Sequence, residues 1–435
     1  MAVYGLNNQA LAQMSGNYTI DKNSAASSTN FQSYTSAVQA LRGLTRSDGG
    51  PSLGGGVNGA VTISVVQGSG PYTEQLDVQA ITGTSSTNRV TFVGNGEQIT
   101  YSPSSTNSAV IKVNGADYLT FRDIYVKPTH STYTRAFWVL NASDYLIIED
   151  CEMDITSASS TSNGYGCGIA HVGSSTSATS YSTGGNKGYG NIYRNNEIYG
   201  STSNNGMYSG IIINGSSSMS NLNLLIEGNY IHNYYYNGIY AYYNCLNTVY
   251  KGNTIIRGDK SSFGTHYGIY HYYCSGGKFY DNYVADNANS NGYSYTNYGI
   301  YAYYGTSSNA SVLEFVNNTI NLNSGGYRMG IYGNEYYATG KKYLHNTIYM
   351  RSSQGYGYGI YSYTYNYGTV EYKNNIIDAS FNNYQSTFYN IYNYSYGTVD
   401  ADGNVLPRNN TSQHYTGYLY TLTNGGGTAQ TFANW

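Results

Sequence analysis

Charge is scarce in this chain. Only 10% of its 435 residues are Asp, Glu, Lys or Arg, and the formal net charge is -3. That balance argues against a basic nucleic-acid surface and against an acidic tail. It also departs from the roughly one-quarter charged composition of an ordinary soluble domain. Proline is rare, with 5 residues, and the 4 cysteines, Cys151, Cys167, Cys245 and Cys274, include no Cys-x-x-Cys pair for a zinc or redox centre. Cys245 and Cys274 each follow a Tyr-Tyr pair in neighbouring repeats. A disulfide and two buried free thiols fit that placement equally well. No run approaches the ~20 apolar residues of a membrane helix. Ala10-Leu11-Ala12 before Gln13 has the form of a signal-peptide cleavage site, but Met1 to Gln9 lacks an apolar core. It is either a leader remnant or a coincidence of sequence.

What is abundant is glycine, with 53 residues, and tyrosine, with 56. Glycine supplies backbone freedom for many turns. Tyrosine favours strands and carries a flat apolar face with a polar tip. Two marks recur. The first is Asn-x-Ile/Val/Leu, at Asn196, Asn229, Asn253, Asn282, Asn318, Asn346, Asn375 and Asn404, with successive spacings of 33, 24, 29, 36, 28, 29 and 29. The second is Gly-Ile, at Gly168, Gly210, Gly238, Gly268, Gly299, Gly330 and Gly359, with Asn390-Ile391 as a further copy. From Asn196 onward the two alternate. Strand-like segments with apolar and polar residues alternating lead into each mark, as in Leu224-Leu225-Ile226. No helical period survives the Gly and Asn punctuation.

One repeat is then one coil of a solenoid, which buries its core only by stacking on its neighbours. The predicted class is all-β: a single right-handed parallel β-helix with a short N-terminal capping helix. The expected division is 1–54 for an N-terminal extension with that helix, 55–408 for the β-helix, and 409–435 for a C-terminal cap or tail. The helix is predicted over Ser33 to Leu44, with Tyr34, Val38, Leu41 and Leu44 on one side. Strands are predicted at Val61 to Val66, Val90 to Val93 and Val110 to Val113, and the longest insertion at Gly164 to Gly190. Phe432 or Trp435 is expected to cover the last coil. The asparagines are expected to form a ladder, amide to amide, at a turn whose left-handed backbone Asn tolerates.

These repeats resemble those of the right-handed parallel β-helix superfamily, which includes pectate lyases, polygalacturonases, tailspikes and many surface proteins. The front of the chain is more specific. Ser15-Gly16-Asn17-Tyr18-Thr19-Ile20-Asp21, Gly59-Ala60-Val61-Thr62-Ile63, Tyr72-Thr73-Glu74-Gln75 and Val113-Asn114-Gly115-Ala116-Asp117-Tyr118-Leu119-Thr120 resemble the opening of large β-helix proteins that certain Gram-negative bacteria export to their surface. The resemblance covers nearly the whole chain. It implies fold and export, and it says little of function.

β-Helix enzymes use clustered acids. Two residues before the ladder Asn the sequence reads Glu227, Lys251, Tyr280, Val316, Leu344, Lys373 and Asp402, so no two adjacent coils present an acid there. Asp281 with Asp286, and Asp150 with Glu152 and Asp154, are the densest acids and read as solvated turn or strand residues. His171, His266 and His271 fall in no metal-binding spacing, and His271 reads as a packed or exposed strand residue. No metal and no cofactor are expected. The recurrent feature is aromatic. After each Gly-Ile come Tyr240, Tyr270, Tyr301, Tyr332, Tyr361 and Tyr392, and two residues further Tyr242, Tyr272, Tyr303, Tyr363 and Tyr394, with Asn334 the exception. If each Ile points inward, both columns point outward as parallel stacks. The expected function is a non-catalytic surface protein, secreted or on the cell surface, acting in adhesion or self-assembly through this face. The alternative is a polysaccharide-binding β-helix, or less favoured a polysaccharide lyase or glycoside hydrolase. The expected partner is a second copy or a surface glycan, with no nucleic acid.

Overall fold

The computed structural model describes residues 13–160, 164–179, 188–203, 206–215, 222–260, 264–287, 295–305, 311–323, 326–352, 356–365, 368–381, 387–406 and 414–421. Ala10-Leu11-Ala12, Gly184-Gly185, Phe432 and Trp435 lie outside them.

Among the described residues every strand pairing is parallel, and the strands form three long sheets of 14, 11 and 12 strands, here sheets A, B and C. One coil visits them in turn. Val249–Lys251 lies in sheet A, Thr254–Arg257 in sheet B and His266–Tyr272 in sheet C, before the chain re-enters sheet A at Lys278–Tyr280. The chain is therefore a parallel β-helix. Its core is a set of columns one residue wide. Ile255, Val284, Ile320, Ile348 and Ile377 fill it from sheet B, and Ile239, Ile269, Ile300, Ile331, Ile360 and Ile391 from sheet C. From sheet A, Tyr250, Phe279, Phe315, Tyr343 and Tyr372 stack at 4.8 to 5.0 Å.

The A–B corner explains the Asn mark. Each ladder Asn donates its Nδ2 to the Oδ1 of the next, from Asn196 through Asn229, Asn253, Asn282, Asn318, Asn346 and Asn375 to Asn404, at 2.8 to 3.0 Å. The second Nδ2 hydrogen goes to a carbonyl of the preceding coil, as from Asn282 to Tyr250 at 2.9 Å. Each Oδ1 also accepts the backbone N–H of the Asn before it, as Asn282 does from Asn253 at 3.1 Å. A buried amide with every lone pair and hydrogen used costs nothing for its burial. The left-handed residue is not the ladder Asn, as expected above, but its predecessor: Asn195, Gly228, Gly252, Asp281, Asn317, His345, Asn374 and Gly403 have φ of 54 to 65°. No ladder Asn itself has a positive φ.

Gly-Ile marks the entry to sheet C. A Cβ on Gly268 would lie 2.1 Å from Val284 Cγ1 and 2.5 Å from the Gly299 carbonyl oxygen. The strand thus passes too close to sheet B and to the next coil to carry a side chain.

At the front, Met14–Ile20 pairs with both Asn30–Phe31 and Val57–Val65, so sheet A begins well before residue 55. The helix spans Tyr34–Leu41, with Ser33 as its N-cap. Glu74 accepts the N–H groups of Tyr34 and Thr35 at 3.0 and 2.8 Å, which gives the Tyr-Thr-Glu-Gln segment a structural reason. Tyr34, Val38 and Leu41 are buried, with Tyr34 edge-on to Tyr72 at 5.5 Å. Leu44 does not join them: the chain turns at Gly43 (φ 70°) and leaves Leu44 46% exposed. At the other end of the described chain, His414–Thr421 extends sheet C beside Phe388–Ser395.

Candidate functional site: the tyrosine face of sheet C

Alternation within His266–Tyr272 buries His266, Gly268, Ile269 and His271 and turns Tyr267, Tyr270 and Tyr272 outward. The same registration repeats coil by coil. Tyr240, Tyr270, Tyr301, Tyr332, Tyr361, Tyr392 and also Tyr418 form one column. Its successive ring centroids are 4.9, 5.2, 4.9, 4.6, 5.1 and 4.6 Å apart and within 11° of parallel. Tyr242, Tyr272 and Tyr303 form a second at 5.6 and 5.5 Å. Asn334 interrupts it, and Tyr363 and Tyr394 resume it at 4.9 Å.

A third column was missed. Tyr267 and Tyr298 stack at 4.8 Å, and Tyr358, Tyr389 and Tyr415 at 5.7 and 5.0 Å. These rings stand edge-on to the first column, as Tyr267 does to Tyr270 at 4.7 Å and 79°. The signal was in the sequence as Tyr-Gly-Ile-Tyr at residues 267–270, 298–301 and 358–361. The Gly-Ile step places two consecutive residues inward, which returns the residue before Gly to the outer face.

The rings are half-buried, chiefly by one another; Tyr240, at the start of its column, is only 7% exposed. Burial first, and neighbouring phenols second, hold Tyr240, Tyr270, Tyr301 and Tyr361 protonated well above the usual tyrosine range, and push Tyr272 up to about 12. The face is therefore neutral. Because each ring covers its neighbour's π surface, it presents ring edges and hydroxyls to solvent rather than open aromatic faces.

The position after the first column points inward and answers the interior aromatics. Ala241, Ala302 and Ser362 are fully buried there. Gly333 leaves room for the Tyr343 hydroxyl, which a Cβ would meet at 2.1 Å. His271 is fully buried and hydrogen-bonds Tyr250 Oη through Nδ1 at 3.0 Å, while Asn393 accepts from Tyr372 Oη at 2.8 Å. Burial lowers the His271 imidazole to about 3. Glu335 and Lys341 are also buried; burial raises the carboxyl to about 8 and lowers the ammonium to about 7. Lys341 Nζ donates to the carbonyls of Gly333, at 2.6 Å, and Tyr363.

The acids fall elsewhere. On sheet A the column two before the ladder lies in register from Glu227 to Asp402, and Lys251 pairs with Glu227 at 2.8 Å. Asp281 sits at its turn and accepts from Asn317 Nδ2 at 2.7 Å. Asp286 is not the solvated acid expected of it. It is fully buried, registered beside Arg257, with its charge acting on Arg328. On sheet B, Glu152 and Glu197 face outward on adjacent strands beside a groove also lined by Asp123, Asp150 and Tyr125. Tyr199 Oη donates to Glu152 at 2.7 Å, and His232 Nε2 lies 3.1 Å from Glu197. Asp154 is tied to Lys127 at 2.7 Å. Cys245 and Cys274 are buried free thiols. No helix among the described residues is long and apolar enough to cross a membrane.

No family model matches the chain, and no curated protein matches it in sequence. Solved β-helix structures resemble it in fold alone. The Dettilon tailspike protein gp208 is 15% identical over 82% of this chain and 62% of its own, with a TM-score of 0.45. PfbA, a surface adhesin of Streptococcus pneumoniae, is 11% identical over 85% of this chain and 82% of its own, with a TM-score of 0.42. DFA-IIIase from Arthrobacter chlorophenolicus A6 is 11% identical over 89% of this chain and 98% of its own, with a TM-score of 0.34. The chain thus spans less than two-thirds of the tailspike's length, and the likenesses concern the fold alone.

Proposed function

We propose that this chain is a non-catalytic, extracellular or surface-exposed β-helix that works in adhesion or self-assembly, with the tyrosine face of sheet C packing against a second copy. The observation that carries the reading is the state of the rings. Three columns of neutral, half-buried tyrosines run along one face, and their π surfaces are already occupied by one another. Sugar rings bind aromatic side chains mostly through those surfaces, so a stacking glycan finds little to hold. A second copy can instead meet the ring edges and hydroxyls that the face presents, without unstacking the columns. A chain this poor in charge also lacks the self-repulsion that keeps copies apart. Each half-buried ring still offers on the order of 50 Å², so the three columns together reach the roughly 800 Å² per partner of a stable interface. A handful of rings does not.

The test replaces the partly exposed Tyr270, Tyr301, Tyr361 and Tyr392 with Ser and leaves the buried Tyr240 in place. The inward Ile269, Ile300, Ile360 and Ile391 remain and keep the core filled. Sedimentation velocity is expected to show concentration-dependent association of the parent chain and its weakening in the variant, with unchanged circular dichroism. Equal association of both would overturn the reading. Retention of a monomeric parent on an immobilised polysaccharide, lost in the variant, would instead favour a glycan-binding face.

A further inference from the structure

The three columns place oxidisable phenols next to one another more regularly than packing requires, and that arrangement has a chemistry of its own. We propose that the tyrosine face is an oxidative cross-linking site, at which a peroxide acting through a haem peroxidase couples rings of adjacent coils into dityrosine. Each of two phenols gives up one electron and its hydroxyl proton, leaving two phenoxyl radicals. The ring carbons ortho to the two oxygens join. The hydrogens on those carbons then pass to the oxygens and restore both phenols. The two electrons and two protons released reduce one peroxide to two waters, so the product is the coupled chain short of one hydrogen pair.

Coupling is limited by how often a short-lived radical meets a second ring, and the fold holds each ring beside its partner at a high effective concentration. Tyr332 to Tyr361 and Tyr392 to Tyr418 are 4.6 Å apart, within 7° of parallel, on strands whose registration fixes the pairing. Beyond Tyr240 the rings are half-buried with their edges open to solvent, and their terminal torsion is broad and two-fold, so they can roll edge to edge. Among the described residues the thiols and the indole are kept apart from the columns. Cys151, Cys167, Cys245 and Cys274 are all buried, and Trp138 is separated from Tyr240 by the registered Ala170 and Ile212. An internal comparison exists: Tyr343 and Tyr372 stack equally well at 5.0 Å, but both are fully buried.

The intrachain links do not depend on association of copies, so the experiment uses dilute full-length protein that sediments as a monomer. Hydrogen peroxide and a haem peroxidase are added, dityrosine fluorescence is followed, and the links are mapped by peptide mass spectrometry. The expected product is an intrachain species whose links join equivalent positions of neighbouring coils, chiefly Tyr332–Tyr361 and Tyr392–Tyr418, and spare Tyr343–Tyr372. The triple variant Tyr332→Phe, Tyr361→Phe and Tyr392→Phe keeps the stack without the oxidisable hydroxyls, and its yield should fall several-fold. Folded protein giving no more dityrosine than the chain unfolded in guanidinium at the same concentration would overturn the proposal. Links scattered over tyrosines outside the columns, such as Tyr230, would overturn it too, and this mapping of the parent chain stands even if the variant fails to fold. Success without association, or association without links, separates this inference from the docking of copies.

Discussion

Replacing Asn282 with alanine takes one rung from the middle of the ladder. In the parent, its Oδ1 accepts from the Asn253 backbone N–H at 3.1 Å and from Asn253 Nδ2 at 3.0 Å. Its Nδ2 donates to Asn318 Oδ1 and to the Tyr250 carbonyl, both at 2.9 Å. The alanine leaves Asn318 Oδ1 with the backbone N–H of residue 282, which stays in place at 3.2 Å. Both Asn253 donors lose their acceptor in a corner that is fully buried. Each orphaned buried donor costs about 1–3 kcal/mol, so the substitution should cost about 2–6 kcal/mol, to which the small cavity adds. Asn282→Asp should be no better at neutral pH, because it sets a carboxylate oxygen against Asn318 Oδ1 and the Tyr250 carbonyl. Solenoids open piecewise rather than in one step, so the sharper assay is amide exchange at Asn253, read beside the guanidinium midpoint. Exchange there should accelerate by at least about thirtyfold, the equivalent of about 2 kcal/mol. Unchanged exchange, with stability within about 1 kcal/mol of the parent, would refute the claim that the ladder holds the A–B corner. Asn404 is the control: it ends the ladder and is only partly buried, so Asn404→Ala should cost far less.

Three further outcomes follow from the same coordinates. Gly268→Ala meets a neighbouring backbone carbonyl at 2.5 Å, which cannot swing aside, and should lower stability by about 2 kcal/mol or more in thermal melts; an unchanged melting temperature would mean that the strand entry is looser than described. Asp286→Asn removes a fully buried negative charge that favours the charged form of Arg328 and should lower stability; a variant as stable as the parent would show that this charge contributes nothing to the fold. His271 has its folded pKa depressed to about 3, against about 6.5 when unfolded. Its contribution is therefore present above pH ~6.5 and is lost as pH falls toward the folded value. His271→Asn, which can keep the bond from Tyr250 as Asn393 keeps that from Tyr372, should flatten this acid limb, and an identical limb would assign it to other groups. The tyrosines have the opposite sign: with folded pKa values raised, their contribution is intact below pH ~10 and lost above it.

Much of this was legible in the sequence because a solenoid repeats its environment. Asn253, Asn282 and Asn318 recur at one turn, and their spacing alone placed them in line. Ile269 followed by Tyr270 at period two gave the inward and outward faces. What stayed hidden needed registration between coils. The left-handed conformation belongs to Asp281 and Asn317 rather than to Asn282 and Asn318, a one-residue offset that composition does not resolve. The Tyr267 column went unseen because two consecutive inward residues, Gly268 and Ile269, break strict alternation. Asp286 looked like a surface acid because nothing local marks it; Arg257, registered beside it, and Arg328, on which its charge acts, belong to neighbouring coils.

The central claim is that the tyrosine face brings copies together, and an electron micrograph of the purified chain beside its four-Ser variant tests it most directly. The account predicts rods joined side by side in the parent and single rods in the variant at the same concentration. Single rods in both would contradict it.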